Sequence, residues 1–177
     1  MTVGTSSGRR QSAVVVPVPQ AEPLVGAIRF EHDPVAAQGV PAHITLIVPW
    51  LPPGEIVEHD LVDLGSMLGD VAPFEFVLER VSWFGRAVLW LAPEPADPFI
   101  KLTARLVDRF GTPPYDDEFD EVVPHLTVAH ASDGVELAPI AERLQGQLPV
   151  RCQAEEVWVM EGDGRTWSVL RRFALRS

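Results

Sequence analysis

One short pattern occurs in both halves of the chain. The first copy is Pro41-Ala42-His43-Ile44-Thr45-Leu46 and the second is Val123-Pro124-His125-Leu126-Thr127-Val128. Each is His-x-Thr in an apolar setting that reads as a strand. Positions two apart on a strand share a face. His43 and Thr45 therefore project together, as do His125 and Thr127, while Ile44, Leu46, Leu126 and Val128 turn towards a core.

The elements around the two copies follow one plan. In the first half, residues 13–18 read as a strand and 23–31 as a short helix, with Pro23 in its first turn and Asp33-Pro34 at its end. Residues 42–48 read as a strand, and Pro52-Pro53-Gly54 as a loop. Val57, Leu61, Leu64 and Leu68 line one helix face. Strands at 74–83 and 87–91 follow. In the second half, Asp97-Pro98 opens a helix whose face is Phe99, Leu102, Leu106 and Phe110, and Gly111 ends it. A loop at 112–120 leads to a strand at 122–128. Leu137, Ile140, Ala141 and Leu144 form a helix face ending near Gly146. A closing pair of strands, 150–160 and 165–175, turns at Gly162-Asp163-Gly164. Strand, helix, strand, helix, strand, twice over, predicts an α+β domain of two similar lobes with equivalent strands side by side.

Two imidazoles and two hydroxyls on matched strands suit phosphoryl transfer. The reference imidazole pKa is about 6.5, so one ring can be neutral and the other protonated near neutral pH. The neutral ring accepts a proton from an attacking water or hydroxyl, and the charged ring gives one to the leaving oxygen. Threonine hydroxyls donate to the non-bridging phosphate oxygens. This chemistry calls for no metal and no cofactor.

Charge narrows the partners. The net charge is −11 and Lys101 is the only lysine. A protein that follows a long duplex carries a basic stripe, so the charge argues against a long duplex partner and leaves a small anionic substrate or the end of a nucleic acid. Asp116, Asp117, Glu118, Asp120 and Glu121 make the approach to the second copy acidic, which fits a small substrate. Glu31-His32-Asp33 and Glu58-His59-Asp60 diverge in direction and read as solvated rather than metal-binding. Cys152 is the single cysteine, which excludes an internal disulfide. No apolar run is long enough for a membrane span. Residues 1–11 read as a disordered, uncleaved tail and 12–177 as one two-lobed domain, a cytoplasmic monomer. Trp50, just past the first copy, and Phe84, at a turn, are candidates for a base-stacking wall. Arg86 is a candidate phosphate contact. Trp83, Trp90, Trp158 and Trp167 read as core or edge-strand packing.

The paired His-x-Thr patterns resemble those of the 2H (two-histidine) phosphoesterases, including the 2′-5′ RNA ligase-like proteins and RNA cyclic phosphodiesterases. Trp83-Phe84-Gly85-Arg86 before Val88-Leu89-Trp90-Leu91 is similar to that family's central strand pair. Gly164-Arg165-Thr166-Trp167, followed by Arg171-Arg172-Phe173-Ala174-Leu175, is similar to its C-terminal hairpin. The resemblance implies two antiparallel sheets around a central cleft with helices outside. It implies that His43 and His125 are the acid and base, and Thr45 and Thr127 the phosphate donors. The aromatic loop before the second copy adds Tyr115 to the substrate contacts. His130 joins them at a place where several RNA-directed members carry arginine. The implied reaction is hydrolysis of a ribose 2′,3′-cyclic phosphate, in a small cyclic nucleotide or at an RNA 3′ end, to a 2′-phosphate. A 2′-5′ RNA ligase, another nucleotide phosphodiesterase, and a nucleotide- or RNA-binding module with little turnover are the alternatives.

Overall fold

The computed structural model describes residues 9–113, 121–132 and 134–176. It contains two four-stranded antiparallel sheets. The first runs β2 (His43–Ile47), β1 (Gln11–Pro17), β7 (Glu156–Gly162), β8 (Trp167–Ala174). The second runs β5 (Leu126–His130), β4 (Val88–Glu94), β3 (Phe74–Phe84), β6 (Val150–Ala154). The helices are α1 (Glu22–His32), the short α2 (Pro34–Ala37), α3 (Glu58–Leu68), α4 (Asp97–Phe110) and α5 (Ala138–Gln145). The expected α+β architecture is the observed one.

The duplicated unit is strand–helix–strand. β1–α1–β2 ends on the first His-x-Thr, and β4–α4–β5 carries the second. In both units the motif strand lies at an edge of its sheet, and β2 and β5 touch each other. The two halves are nevertheless interleaved. β3, from the first half, joins the second sheet, and β7 and β8, from the second half, complete the first.

Three boundaries differ from the expectation. Residues 150–160 are two strands rather than one: β6 pairs with β3 in one sheet and β7 pairs with β1 in the other. The continuous β-branched composition hides this crossing at Glu155. The strand expected at 122–128 begins at Leu126 and runs to His130, so His125 stands immediately before the ladder. Gln11, placed in the tail, already pairs with Gly162 in β1.

The core lies on the helix side of the sheets. Phe99, Leu102 and Leu106 of α4 are buried, and each such side chain contributes roughly 1.5–3 kcal/mol relative to exposure. Gly111 ends α4 in the left-handed region at φ 67°, where a Cβ is costly. The helices also reach across the repeat. Thr103 Oγ1 of α4 donates to the Leu46 carbonyl of β2 at 3.0 Å. Arg29 Nε of α1 donates to the Thr127 carbonyl of β5 at 3.1 Å. Each unit's helix thus pins the other unit's motif strand.

Candidate active site

Both motif strands carry a β-bulge at the same place. β1 and β2 shift register between the pairs Val15↔Thr45 and Val14↔Ile47. β4 and β5 shift between Trp90↔Thr127 and Leu89↔Ala129. Consecutive residues then face the core: Leu46 and Ile47 in one strand, Val128 and Ala129 in the other, all at most 1% exposed. A bulge re-aims the side chains beyond it. On the far side, Val48 and His130 return to the face that holds the histidines. His130 pairs with Val88, which clusters with Trp90 and Phe84, and those two rings flank His125. Sequence alternation alone places His130 on the opposite face; the bulge brings it to the site.

The two catalytic-type imidazoles are held alike. His43 Nδ1 lies 2.7 Å from the Pro41 carbonyl oxygen, and His125 Nδ1 lies 2.7 Å from that of Val123. A carbonyl only accepts, so each Nδ1 carries the hydrogen. Nε2 is then the nitrogen through which each ring exchanges protons with a substrate. Both rings keep part of their surface open, as do Thr45 and Thr127. Neither threonine hydroxyl donates to a protein atom among the described residues. The Phe84 ring meets His125 edge-on at 4.8 Å, and Trp90 does so at 5.8 Å.

Burial and charge act on the two rings unequally. His43 is pushed down to about 4, first by desolvation and next by the positive charge of Arg29. The Pro41 carbonyl and the Asp33 carboxylate oppose this, and His125 adds a little to it. His125 is also lowered, chiefly by burial, with His130 contributing and the Val123 carbonyl opposing.

Arg29 and Asp33 are the residues that sequence reasoning missed. Arg29 is 1% exposed and Asp33 is 2% exposed. The guanidinium donates through Nη2 to Asp33 Oδ2 at 2.8 Å and through Nε to the same oxygen at 3.2 Å. It also donates through Nη1 to the Val40 carbonyl at 3.2 Å and through Nε to that of Thr127. One buried cation thus ties the segment entering the first motif to the strand of the second. Asp33 Oδ1 lies 3.8 Å from His130 Nε2 and accepts from the Val35 backbone N–H at the start of α2. An i, i+4 arginine–aspartate pair in a helix is ordinarily a surface feature, so its burial is not legible from spacing.

The other sequence candidates divide. Phe84 borders His125, and Arg86 is exposed in the β3–β4 turn beside it. Tyr115 lies outside the described residues. Trp50 must be corrected: it is 2% exposed and packs in the core, edge-on to Phe110 at 5.1 Å. It therefore offers no open ring face to a base. The alternation rule sends a residue so close to the motif either way, and here the chain turns inward at Pro49. Trp158, assigned to packing, lies on the same sheet face as Thr45, through the paired series Thr45↔Val15↔Trp158. Among the described residues, no group of three or more His, Cys, Asp or Glu is arranged to hold a metal ion. No helix among them is long and apolar enough to cross a membrane.

Two imidazoles at the starts of equivalent edge strands, each with a hydroxyl on its own face, match the paired pattern on which the sequence resemblance rests. The chain belongs to the 2′-5′ RNA ligase superfamily, whose family model matches residues 16–166. Solved structures share the fold. Escherichia coli LigT complexed with NADP+ superposes with a TM-score of 0.62 at 21% identity, covering 97% of this chain and 100% of that one. LigT complexed with 3′-AMP gives 0.59 at 20% identity, covering 95% and 99%. TT0787 of Thermus thermophilus gives 0.61 at 23% identity, covering 96% and 99%. A search of curated protein sequences gave no significant match.

Proposed function

We propose that this protein is a phosphodiesterase that opens ribose 2′,3′-cyclic phosphates, at an RNA end or in a small nucleotide, and leaves a 2′-phosphate. The observation that carries the reading is the matched pair of Nδ1-anchored imidazoles, each beside an unengaged threonine hydroxyl on the same face. Family membership makes phosphoester chemistry the expected class. The nucleotides held by LigT, 3′-AMP and NADP+ among them, support a nucleotide as the ligand here.

The step follows from the residues. A water attacks phosphorus in line with the bond to O3′, and one imidazole Nε2 takes its proton. The P–O3′ bond breaks, and the other imidazole gives its proton to O3′. Thr45 and Thr127 donate to the non-bridging oxygens as charge builds there. Water and the two side chains balance the reaction.

The environment divides the roles. His43, buried beside Arg29, stays unprotonated well below the ordinary imidazole range and is therefore the ring available to accept the proton. A phosphate anion between the rings favours protonating one of them, and with His43 held neutral His125 takes that proton as the acid. Phosphorus NMR of the product from a 2′,3′-cyclic nucleotide tests the reading. A 2′-monophosphate supports it. A 3′-monophosphate, or an unchanged substrate with a chelator present, rejects it.

A further inference from the structure

The peptide unit that anchors His43 is itself held from behind. Every polar backbone group from Val40 to Ala42 has a partner, as buried backbone requires. The Val40 N–H donates to the Val35 carbonyl, and the Val40 carbonyl accepts from Arg29 Nη1. The Ala42 carbonyl accepts from the Val18 N–H at 2.8 Å. The Pro41 carbonyl accepts from His43 Nδ1 at 2.7 Å, and the Ala42 N–H donates to Glu22 Oε1 at 2.5 Å. The last two groups, the Pro41 carbonyl and the Ala42 N–H, belong to one amide. A carboxylate, an amide and an imidazole thus stand in series.

Two further observations set this series apart. Room for the Glu22 carboxylate depends on Gly26, one turn along α1: a Cβ there would lie 2.7 Å from Glu22 Oε2. The second motif, moreover, cannot build the same series. His125 Nδ1 is held by the Val123 carbonyl, whose amide nitrogen belongs to Pro124 and carries no hydrogen. The repeat supplies an acid at both helix starts, since α1 opens on Glu22-Pro23 and α4 on Asp97-Pro98, but Asp97 is exposed. Only the first unit has both the acid and the N–H to receive it.

We infer that Glu22 is a positioning residue for the base: acting through the Pro41–Ala42 amide, its carboxylate fixes the His43 imidazole with Nε2 turned to the substrate and strengthens the carbonyl that holds Nδ1–H. An anion on the amide N–H makes the oxygen of the same amide a better acceptor, because hydrogen bonds in a chain polarise one another. A better acceptor at Nδ1 stabilises the charge that His43 gains when it takes the proton from water. The inference rests on the phosphodiesterase reading for His43 as base, and adds a residue one amide removed from the ring. Arg29 and Asp33 of α1, and His125, also act on His43, and the substitutions that test the series leave all three in place.

Glu22→Gln keeps an oxygen for the Ala42 N–H and removes the charge, and charge-assisted hydrogen bonds are about twice as strong as neutral ones. With a 2′,3′-cyclic nucleotide, kcat should fall roughly 3- to 10-fold in Glu22→Gln and roughly 10- to 100-fold in Glu22→Ala, the worth of a hydrogen bond to a charged group. KM should hold in both. Gly26→Ala must push the carboxylate aside while favouring the helix, so it should lose kcat without losing Tm. By NMR, the Nδ1–H proton of His43 should move upfield in all three variants and that of His125 should stay. Should Glu22→Ala fail to fold, Glu22→Gln and Gly26→Ala carry the test. A Glu22 that only braces the fold would lower Tm and leave both kcat and the His43 signal at wild-type values in Glu22→Gln and Gly26→Ala, and that result overturns the inference. If wild type turns over no cyclic nucleotide, the phosphodiesterase reading fails by itself. The Nδ1–H signals then decide the series alone: His43 shifted with His125 unmoved supports it, and any other pattern overturns it.

Discussion

Arg29→Met removes the buried cation that links the two motifs while keeping an apolar side chain in its place. The guanidinium makes four hydrogen bonds: two to Asp33 and one each to the Val40 and Thr127 carbonyls. Its loss strands the Asp33 carboxylate, 2% exposed, leaving it His130 and the Val35 backbone N–H as partners among the described residues. Removing one partner of a buried ion pair costs about 3–5 kcal/mol. For a chain of this size, each kcal/mol lowers Tm by about 2–4 °C, so the drop should be roughly 6–20 °C. The substitution also moves His43. Arg29 is the second cause of its lowered affinity for protons, and Asp33 acts in the opposite sense, so the imidazole pKa must rise. Thermal unfolding measures the first effect, and NMR titration of the His43 ring measures the second. Arg29→Lys keeps a charge but not the planar fork, so it should retain most of the His43 shift while losing part of the stability. Should Arg29→Met fail to fold, Arg29→Met with Asp33→Leu replaces both charges, which is often neutral for stability, and the His43 titration is read there. An unchanged Tm together with an unchanged His43 titration would refute the reasoning.

Other outcomes follow from the same geometry. Because His43 is depressed from 6.5 to about 4, the unfolded chain binds the extra proton first. Its contribution, on the order of 3 kcal/mol, is present above pH 6.5 and is lost as pH falls towards 4; urea midpoints across that window check this. The kcat/KM profile should be a bell lying on the acid side of neutrality. Its lower limb reports protonation of His43, and its upper limb deprotonation of His125, itself lowered from 6.5. Thr45→Ala and Thr127→Ala should each reduce turnover less than loss of either histidine, since each removes one neutral donor; initial rates on one cyclic nucleotide rank them. Trp50→Phe should lower Tm through lost core packing and leave KM unchanged, the reverse of what a base-stacking residue would do.

Much of the fold was legible because the signals were strong and local. Leu61, Leu64 and Leu68, and again Phe99, Leu102 and Leu106, recur at helical spacing and are buried as expected. The repeated His-x-Thr gave both the duplication and the face on which the candidate site lies. What stayed hidden depends on contacts distant in sequence. The crossing at Glu155 is set by which strand each segment pairs with, and both segments have the same composition. The bulges at Leu46-Ile47 and Val128-Ala129 break strict alternation, and that break is what turns His130 to the site. The burial of Arg29 is decided by carbonyls of Val40 and Thr127, one of them in the other half of the chain. Trp50 departs from its expected place for the same reason, while Trp158 packs as expected: an indole suits a core or a ligand wall equally, and only the surrounding sheet decides.

The central claim is that His43 and His125 act together on one phosphate. Its most direct test is the hydrolysis rate of a 2′,3′-cyclic nucleotide by wild type, His43→Ala, His125→Ala and the double variant, with and without EDTA. The account predicts a loss of about 10² to 10⁴ in kcat for each single variant, the usual worth of a positioned proton transfer. The double variant should lose far less than the product of the two, because the residues act as a unit, and EDTA should leave every rate unchanged. Wild-type rates in both single variants, with folding intact, would contradict the account and leave the two histidines as structural parts of a nucleotide-binding module.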